Sequence, residues 1–147
     1  MNMTRGLAVG ALVLSLPVIF LSCSSGGGGG ESTNWNLAGT WHYTLTVTGD
    51  PCGLLENELG TCQVTQSGNN VTVVVDQGAT WTGTIDGETF SLTFETDLAP
   101  DCRGRGEATL NIQSNNQMSG HGQDRANGNG CGAWDGCTAE YDLQCGR

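Results

Sequence analysis

Apolar and polar residues alternate with a period of two through most of the chain beyond residue 40. Trp41, Tyr43, Leu45 and Val47 alternate with His42, Thr44, Thr46 and Thr48. The same rhythm returns at Cys62 and Val64, at Val71, Val73 and Val75, and at Ala79, Trp81, Gly83 and Ile85. It continues at Phe90, Leu92 and Phe94, at Ala108, Leu110 and Ile112, and at Met118, Gly120 and Gly122. It ends with Cys137, Ala139, Tyr141, Leu143 and Cys145. A period of two with one apolar face marks a half-buried antiparallel strand, and no long window carries the helical period of about 3.6. Eight strands are predicted. Ser67-Gly68-Asn69-Asn70, Asp86-Gly87 and Ser114-Asn115-Asn116 read as tight hairpins, because Asn and Gly accept positive φ. Gln77-Gly78 reads the same way. The longer connectors 49–60, 96–106 and 126–136 then fall at one end, together with the 77–78 turn. Such a chain of hairpins predicts an all-β, eight-stranded antiparallel up-and-down barrel, since closure removes unpaired edges. A two-sheet β-sandwich is the alternative.

The first part of the chain is built differently. Arg5 is the only early charge, residues 7–21 are uncharged, and Leu21-Ser22-Cys23 leads into Ser24, Ser25 and the glycines 26–30. That layout is a secretory signal. The apolar run is shorter than the ~20 residues that span a bilayer, and Pro17 interrupts it. Leu21-Ser22-Cys23 resembles the lipobox of bacterial lipoproteins, with Phe20 standing where that family favours Leu. The resemblance implies that Cys23 is acylated on sulfur and becomes the mature N-terminus. It also implies a lipid-anchored cell-envelope protein, on the outer membrane of a Gram-negative host because Ser24 rather than Asp follows the Cys. The expected organisation is a signal peptide over 1–22, a lipidated Cys with a flexible Gly/Ser tether over 23–33, and the barrel over 34–147.

Cysteine usage fits the same compartment. There are 7 cysteines, and setting Cys23 aside for lipid leaves an even set: Cys52, Cys62, Cys102, Cys131, Cys137 and Cys145. An even set in an oxidising compartment predicts disulfides. Cys52 and Cys62 flank one connector and are the first pair expected. Cys137 and Cys145 lie on one strand, too far apart to bridge. Cys102 is then expected to pair with Cys131 or Cys137, and Cys145 with the other. No CxxC pair announces zinc, and the 124–135 segment, with Asp124, Asn127, Asn129 and Asp135, fails the EF-hand spacing. No metal and no cofactor are predicted.

Charge narrows the partners. The chain has no lysine and a formal net charge of −10, and losing Arg5 with the leader takes it to −11. It has nothing with which to displace counterions from phosphates, so nucleic acid is excluded. Repulsion from anionic lipid makes a covalent anchor the more necessary, and a basic protein partner is electrostatically favoured.

Gly39-Thr40-Trp41, at the start of the first strand, resembles the Gly-x-Trp of lipocalins and avidins, which are eight-stranded calycin barrels. The resemblance implies that Trp41 closes the barrel floor and that Arg147 covers it. The Thr-Asp-Tyr signature of lipocalins is missing, and no biotin-contacting set is found. Calycins commonly hold a small apolar or aromatic ligand. The inward-facing Trp41, Tyr43, Trp81, Phe90, Phe94 and Tyr141 are the candidate lining here, with Trp134 as a lid. Side chains alone can fill so narrow a barrel, and drug-sized ligands need roughly 300 Å³ or more. The alternative function is a protein-binding module, such as a lysozyme or protease inhibitor, acting through the disulfide-stapled rim loops. No catalytic constellation is visible. His42 and His121 occupy the outward register, and Asp97, Asp101, Glu107, Arg103 and Arg105 read as local charge pairing.

Overall fold

Every alternating segment becomes a strand, and each strand pairs with its sequence neighbours until β1 meets β8. The structure, a computed structural model, describes residues 35–76 and 78–147. The leader, Cys23 and the whole of the tether lie outside the described residues. The strands are β1 (Gly39–Gly49), β2 (Glu58–Ser67), β3 (Asn70–Val75), β4 (Thr80–Asp86), β5 (Thr89–Ala99), β6 (Cys102–Ser114), β7 (Gln117–Asn127) and β8 (Cys137–Gly146). The barrel is closed and antiparallel throughout, not a sandwich. The β1 ladder shows how closure works: Trp41 faces Cys62 of β2, while Tyr43 faces Cys145 of β8. With both edges of β1 paired, no strand presents a free edge.

The 96–106 stretch departs from expectation. It is not a loop: β5 runs on to Ala99 and β6 starts at Cys102, with Thr96 opposite Gly104 and Ala99 opposite Cys102. The reversal is confined to Pro100-Asp101, where Asp101 takes φ 59°. Gly104 and Gly106 read as chain breaks in the sequence, yet both are buried on the inner face of β6. Side chains of β5 occupy the room they leave. A Cβ on Gly104 would stand 3.1 Å from Leu98 Cγ, and one on Gly106 2.2 Å from Phe94 Cε1.

The floor end gathers the 67–70, 86–89 and 114–117 turns. Residues 35–38 cross it, held by Trp35 Nε1–H donating to Gly87 O (2.8 Å) and Leu37 N–H donating to Gln66 Oε1 (2.8 Å). Leu37 and Trp41 are both 0% exposed, so the barrel is plugged from below. Trp41 Nε1–H donates to Leu37 O at 2.7 Å, which leaves the indole no unmet polar atom. The Arg147 guanidinium lies over the Trp41 ring, 4.8 Å from its centroid. It donates to Ala38 O and Asn36 O, both at 2.7 Å, and to Asn116 Oδ1 at 3.2 Å. The Gly of Gly-x-Trp has a local reason too. Gly39 sits at φ 132°, and a Cβ there would come 3.3 Å from Arg147 Nη1.

The disulfides are Cys52–Cys137 and Cys102–Cys131. The expected Cys52–Cys62 bond is therefore corrected, as is any bond to Cys145. Cys62 and Cys145 are free thiols inside the barrel. The reason is the strand register: Cys62 lies on the inner face of β2 with Val64, whereas Cys52 sits on the rim connector. Cys102–Cys131, one of the two pairings left open for Cys102, clips a 3-10 helix (Asn129–Trp134) to the start of β6.

Candidate functional site

The inner face is not filled. A cavity of about 200 Å³ lies above the floor, towards the rim. Its wall is mainly aliphatic and aromatic, with Val64, Val73, Leu92, Leu110, Met118 and Leu143 among its residues. Tyr43, Trp81, Phe90, Phe94 and Tyr141 line it as the alternation pattern requires. Trp41 does not. It lies in the core cluster that closes the floor and takes no part in the wall, because Leu37 and Arg147 hold it below.

Three aromatics leave this space open because each lies against a glycine on the neighbouring strand. Tyr43 packs over Gly60, Phe94 over Gly106 and Tyr141 over Gly122; a Cβ on any of these glycines would come within 2.7 Å of the ring. Phe94 and Tyr141 are the direct cross-strand partners of their glycines, and so is Tyr43. Rings that would have filled the lumen instead lie along the wall. Gly106→Ala is expected to drive the Phe94 ring off the wall, since the new methyl would also meet Asp124 Oδ1 at 2.5 Å. Overpacking of this kind costs about 1–3 kcal/mol, to be read from urea unfolding, with the displaced ring visible in a crystal structure of the variant.

Trp134, expected as a lid, does not line the cavity: it is 45% exposed, on the 3-10 helix that Cys102–Cys131 ties to the start of β6. Leu55 reaches the cavity instead, from the connector between β1 and β2. The Asp50 carboxylate shapes that connector, accepting from Leu55 N–H (2.7 Å) and Cys52 N–H (3.2 Å). An Asp followed by turn residues is a recognisable signal for such a fold-back; the direction Leu55 takes could not be read from it.

The wall carries polar atoms as well, and sequence reasoning missed two of them. Glu58 and Asp124 both line the cavity. The Tyr43 hydroxyl donates to Glu58 Oε1, and the Tyr141 hydroxyl donates to Asp124 Oδ1 at 3.0 Å. Burial first, and the adjoining carboxylates second, push both phenols well above their ordinary range. Burial pushes Asp124 up to about 6, against a smaller opposing effect from the Tyr141 hydrogen bond. Burial likewise raises Cys62 to about 11 and Cys145 to about 12. Both thiols are thus protonated and weakly nucleophilic at neutral pH.

A raised carboxyl has a signed consequence for stability. The folded state holds the Asp124 proton more tightly than the unfolded chain, whose value is about 4. Its stabilising contribution is full below about pH 4 and is lost as pH rises through about 6. Asp124→Asn keeps an acceptor for Tyr141 without the charge. The variant is expected to melt above the parent at pH 8, with the gap closing at pH 4, as thermal unfolding across pH will show.

The remaining sequence candidates lie outside the barrel. His42 and His121 are both exposed, His121 Nδ1 lying 2.5 Å from Asp142 Oδ1. Arg103 pairs with Asp97 (3.7 Å), and Arg105 with Glu107 (2.9 Å) and Glu95 (4.0 Å), all on the surface. Such exposed pairs contribute at most about 1 kcal/mol each. Among the described residues there is no group of three or more His, Cys, Asp or Glu side chains able to hold a metal.

No protein-family model matches the chain, and no curated protein is similar to it at a significant level. Among solved structures, a chain described as "Structure of EF1p2_mFAP2b bound to DFHBI" is similar to it at 14% identity and a TM-score of 0.40. The match covers 76% of this chain and 94% of that chain.

Proposed function

We propose that this protein is a lipid-anchored lipoprotein of the bacterial cell envelope whose barrel binds a small apolar or aromatic ligand. The observation that carries the binding half is the cavity itself, about 200 Å³ and walled by five aromatics and a majority of aliphatic side chains. Empty apolar cavities of about 150 Å³ take up a molecule of the size of benzene, so this one suits a single ring with a short arm. It is below the range for drug-sized ligands, which limits the occupant rather than forbidding it. The wall residues act by shape and burial. Nothing about them calls for turnover, and we read the protein as a binder rather than an enzyme.

The anchoring half rests on sequence: the uncharged run, Leu21-Ser22-Cys23 and the glycine tether. A single acyl chain binds membranes only marginally, at ~0.8 kcal/mol per methylene, so the several chains of a lipoprotein are what would hold the domain. Native mass spectrometry of the protein purified from its host is expected to show a retained small molecule. Cys23→Ala is expected to release the protein from the membrane fraction. Persistent membrane binding of that variant would sink the anchor. A protein giving only its own mass, and taking up no single-ring compound, would sink the ligand reading.

A second reading has an observation of its own. Leu59, Leu98 and Trp134 are 80%, 48% and 45% exposed towards the rim end of the barrel. Exposed apolar groups on a stapled rim suit a protein partner, and the net charge of −10 favours a basic one such as a lysozyme. Binding of lysozyme that is lost on Trp134→Ala would support it; unchanged binding would not.

A further inference from the structure

The wall of the cavity is apolar except on one count. Its ionisable groups are two carboxyls, Glu58 from β2 and Asp124 from β7, with the phenols of Tyr43 and Tyr141 and the thiols of Cys62 and Cys145. No Lys, Arg or His takes part in it. The Tyr43 and Tyr141 hydroxyls each donate to one of the two carboxyls. Each acidic group is therefore positioned at the end of an aromatic ring. Trp81 and Phe94 add a tilted ring pair with centroids 4.4 Å apart. Aromatic faces and carboxylates share one preference: both attract cations, and most strongly where water is excluded.

We propose that the cavity takes a small organic cation, a protonated amine on a single apolar or aromatic ring, with its ammonium directed at Asp124 and Glu58. The proposal rests on the ligand-binding reading and names the chemical class of its occupant. Its argument is compensation. A carboxylate drawn from water into an apolar wall is destabilised unless an opposite charge accompanies it. The protein supplies Asp124 with a phenol and no cation, so an ammonium ion would complete the site. Selection against the other charge states follows from the same groups. An anion would face two carboxyls with no basic residue to receive it, and a neutral ring would leave the Asp124 charge unrelieved. The net charge of −10 draws cations to the protein from a distance.

The groups facing Asp124 are few. From β8 comes Tyr141; β6 presents only Gly104, Gly106 and Ala108 at this level, and β5 presents Phe94. Glu58, Tyr43, Cys62 and Cys145 complete the titratable part of the same wall. Burial holds Asp124 at about 6. Amine binding is therefore expected to be full above that value and to weaken as pH falls through it.

The test titrates full-length protein in detergent with three probes of nearly equal shape, benzylamine, benzyl alcohol and benzoate, following tryptophan fluorescence and calorimetry at pH 8. Benzylamine is expected to bind at least about tenfold more tightly than benzyl alcohol, a ratio that one charge–charge contact readily supplies, and benzoate not at all. Asp124→Asn should remove that advantage, so that benzylamine binds the variant no more tightly than benzyl alcohol does; Glu58→Gln should reduce it. Lowering the pH from 8 to 5 should weaken benzylamine binding to the parent and leave the Asp124→Asn variant unaffected. If benzyl alcohol binds as well as benzylamine, the cation proposal is overturned while the ligand-binding reading stands. If no probe binds, both fall. A folded Asp124→Asn variant that keeps the full amine preference also overturns the proposal, and unchanged melting at pH 4 establishes that it is folded.

Discussion

Trp41→Ala is expected to lower the unfolding free energy by about 3–5 kcal/mol, the range for truncating a fully buried aromatic. Trp41 is 0% exposed, and three separate elements depend on it. Leu37 accepts its Nε1–H, Arg147 covers its outer face, and the core cluster that closes the floor packs around it. Removing the indole leaves the Leu37 carbonyl without its donor and the guanidinium over a void. Trp41→Phe separates the contributions, since it retains most of the apolar volume and loses the hydrogen bond. It is expected to cost clearly less than Trp41→Ala. Chemical denaturation of both variants and the parent measures the difference. A loss below about 1 kcal/mol for Trp41→Ala would mean that the floor collapses around the gap without penalty.

Replacing Cys52 and Cys137 together with alanine is expected to cost about 4–5 kcal/mol, and replacing Cys102 and Cys131 about 3–4 kcal/mol. The order follows from chain entropy, because the first bond joins residues 85 apart and the second residues 29 apart. Cys52–Cys137 ties the β1–β2 connector to the start of β8, so most of the barrel lies within the loop it closes. Its loss should also free Leu55, which that connector carries into the cavity. Guanidinium unfolding of the two double variants tests the ranking. If removal of Cys102–Cys131 proves the costlier, packing at the 3-10 helix governs, not loop closure. Cys62→Ala and Cys145→Ala, which break no bond, are expected to leave oxidative refolding unimpaired.

The strands were legible because each buries one face, so their side chains had to alternate. The hairpin turns were legible because Asn and Gly mark them, and Arg147 over Trp41 followed from a resemblance. What went unread shares one physical origin: it depends on groups that meet only across strands. Gly104 and Gly106 looked like a loop because the residues that cover them, Leu98 and Phe94, belong to another strand. Cys62 was assigned to Cys52 by nearness in sequence, whereas its position on the inner face of β2 places it beside the lumen, away from any rim cysteine. Glu58 looked like one among fifteen acidic residues, and Asp124 was weighed only as a loop oxygen in the 124–135 segment. Only the ladder shows that both lie on the inner wall, each with a tyrosine hydroxyl donating to it.

By itself the sequence determined the fold class, the strand order, the acidic character of the chain, and the end of the barrel at which the long connectors gather. Those properties are set by local periodicity, turn chemistry and composition, all of which act over a few residues. Tertiary structure alone decided that the barrel is hollow. Tyr43, Phe94 and Tyr141 face inward under either outcome, and the volume left among them depends on whether their rings stand in the lumen or lie along the wall. Glycines on adjacent strands settle that choice by offering no Cβ to hold the rings away.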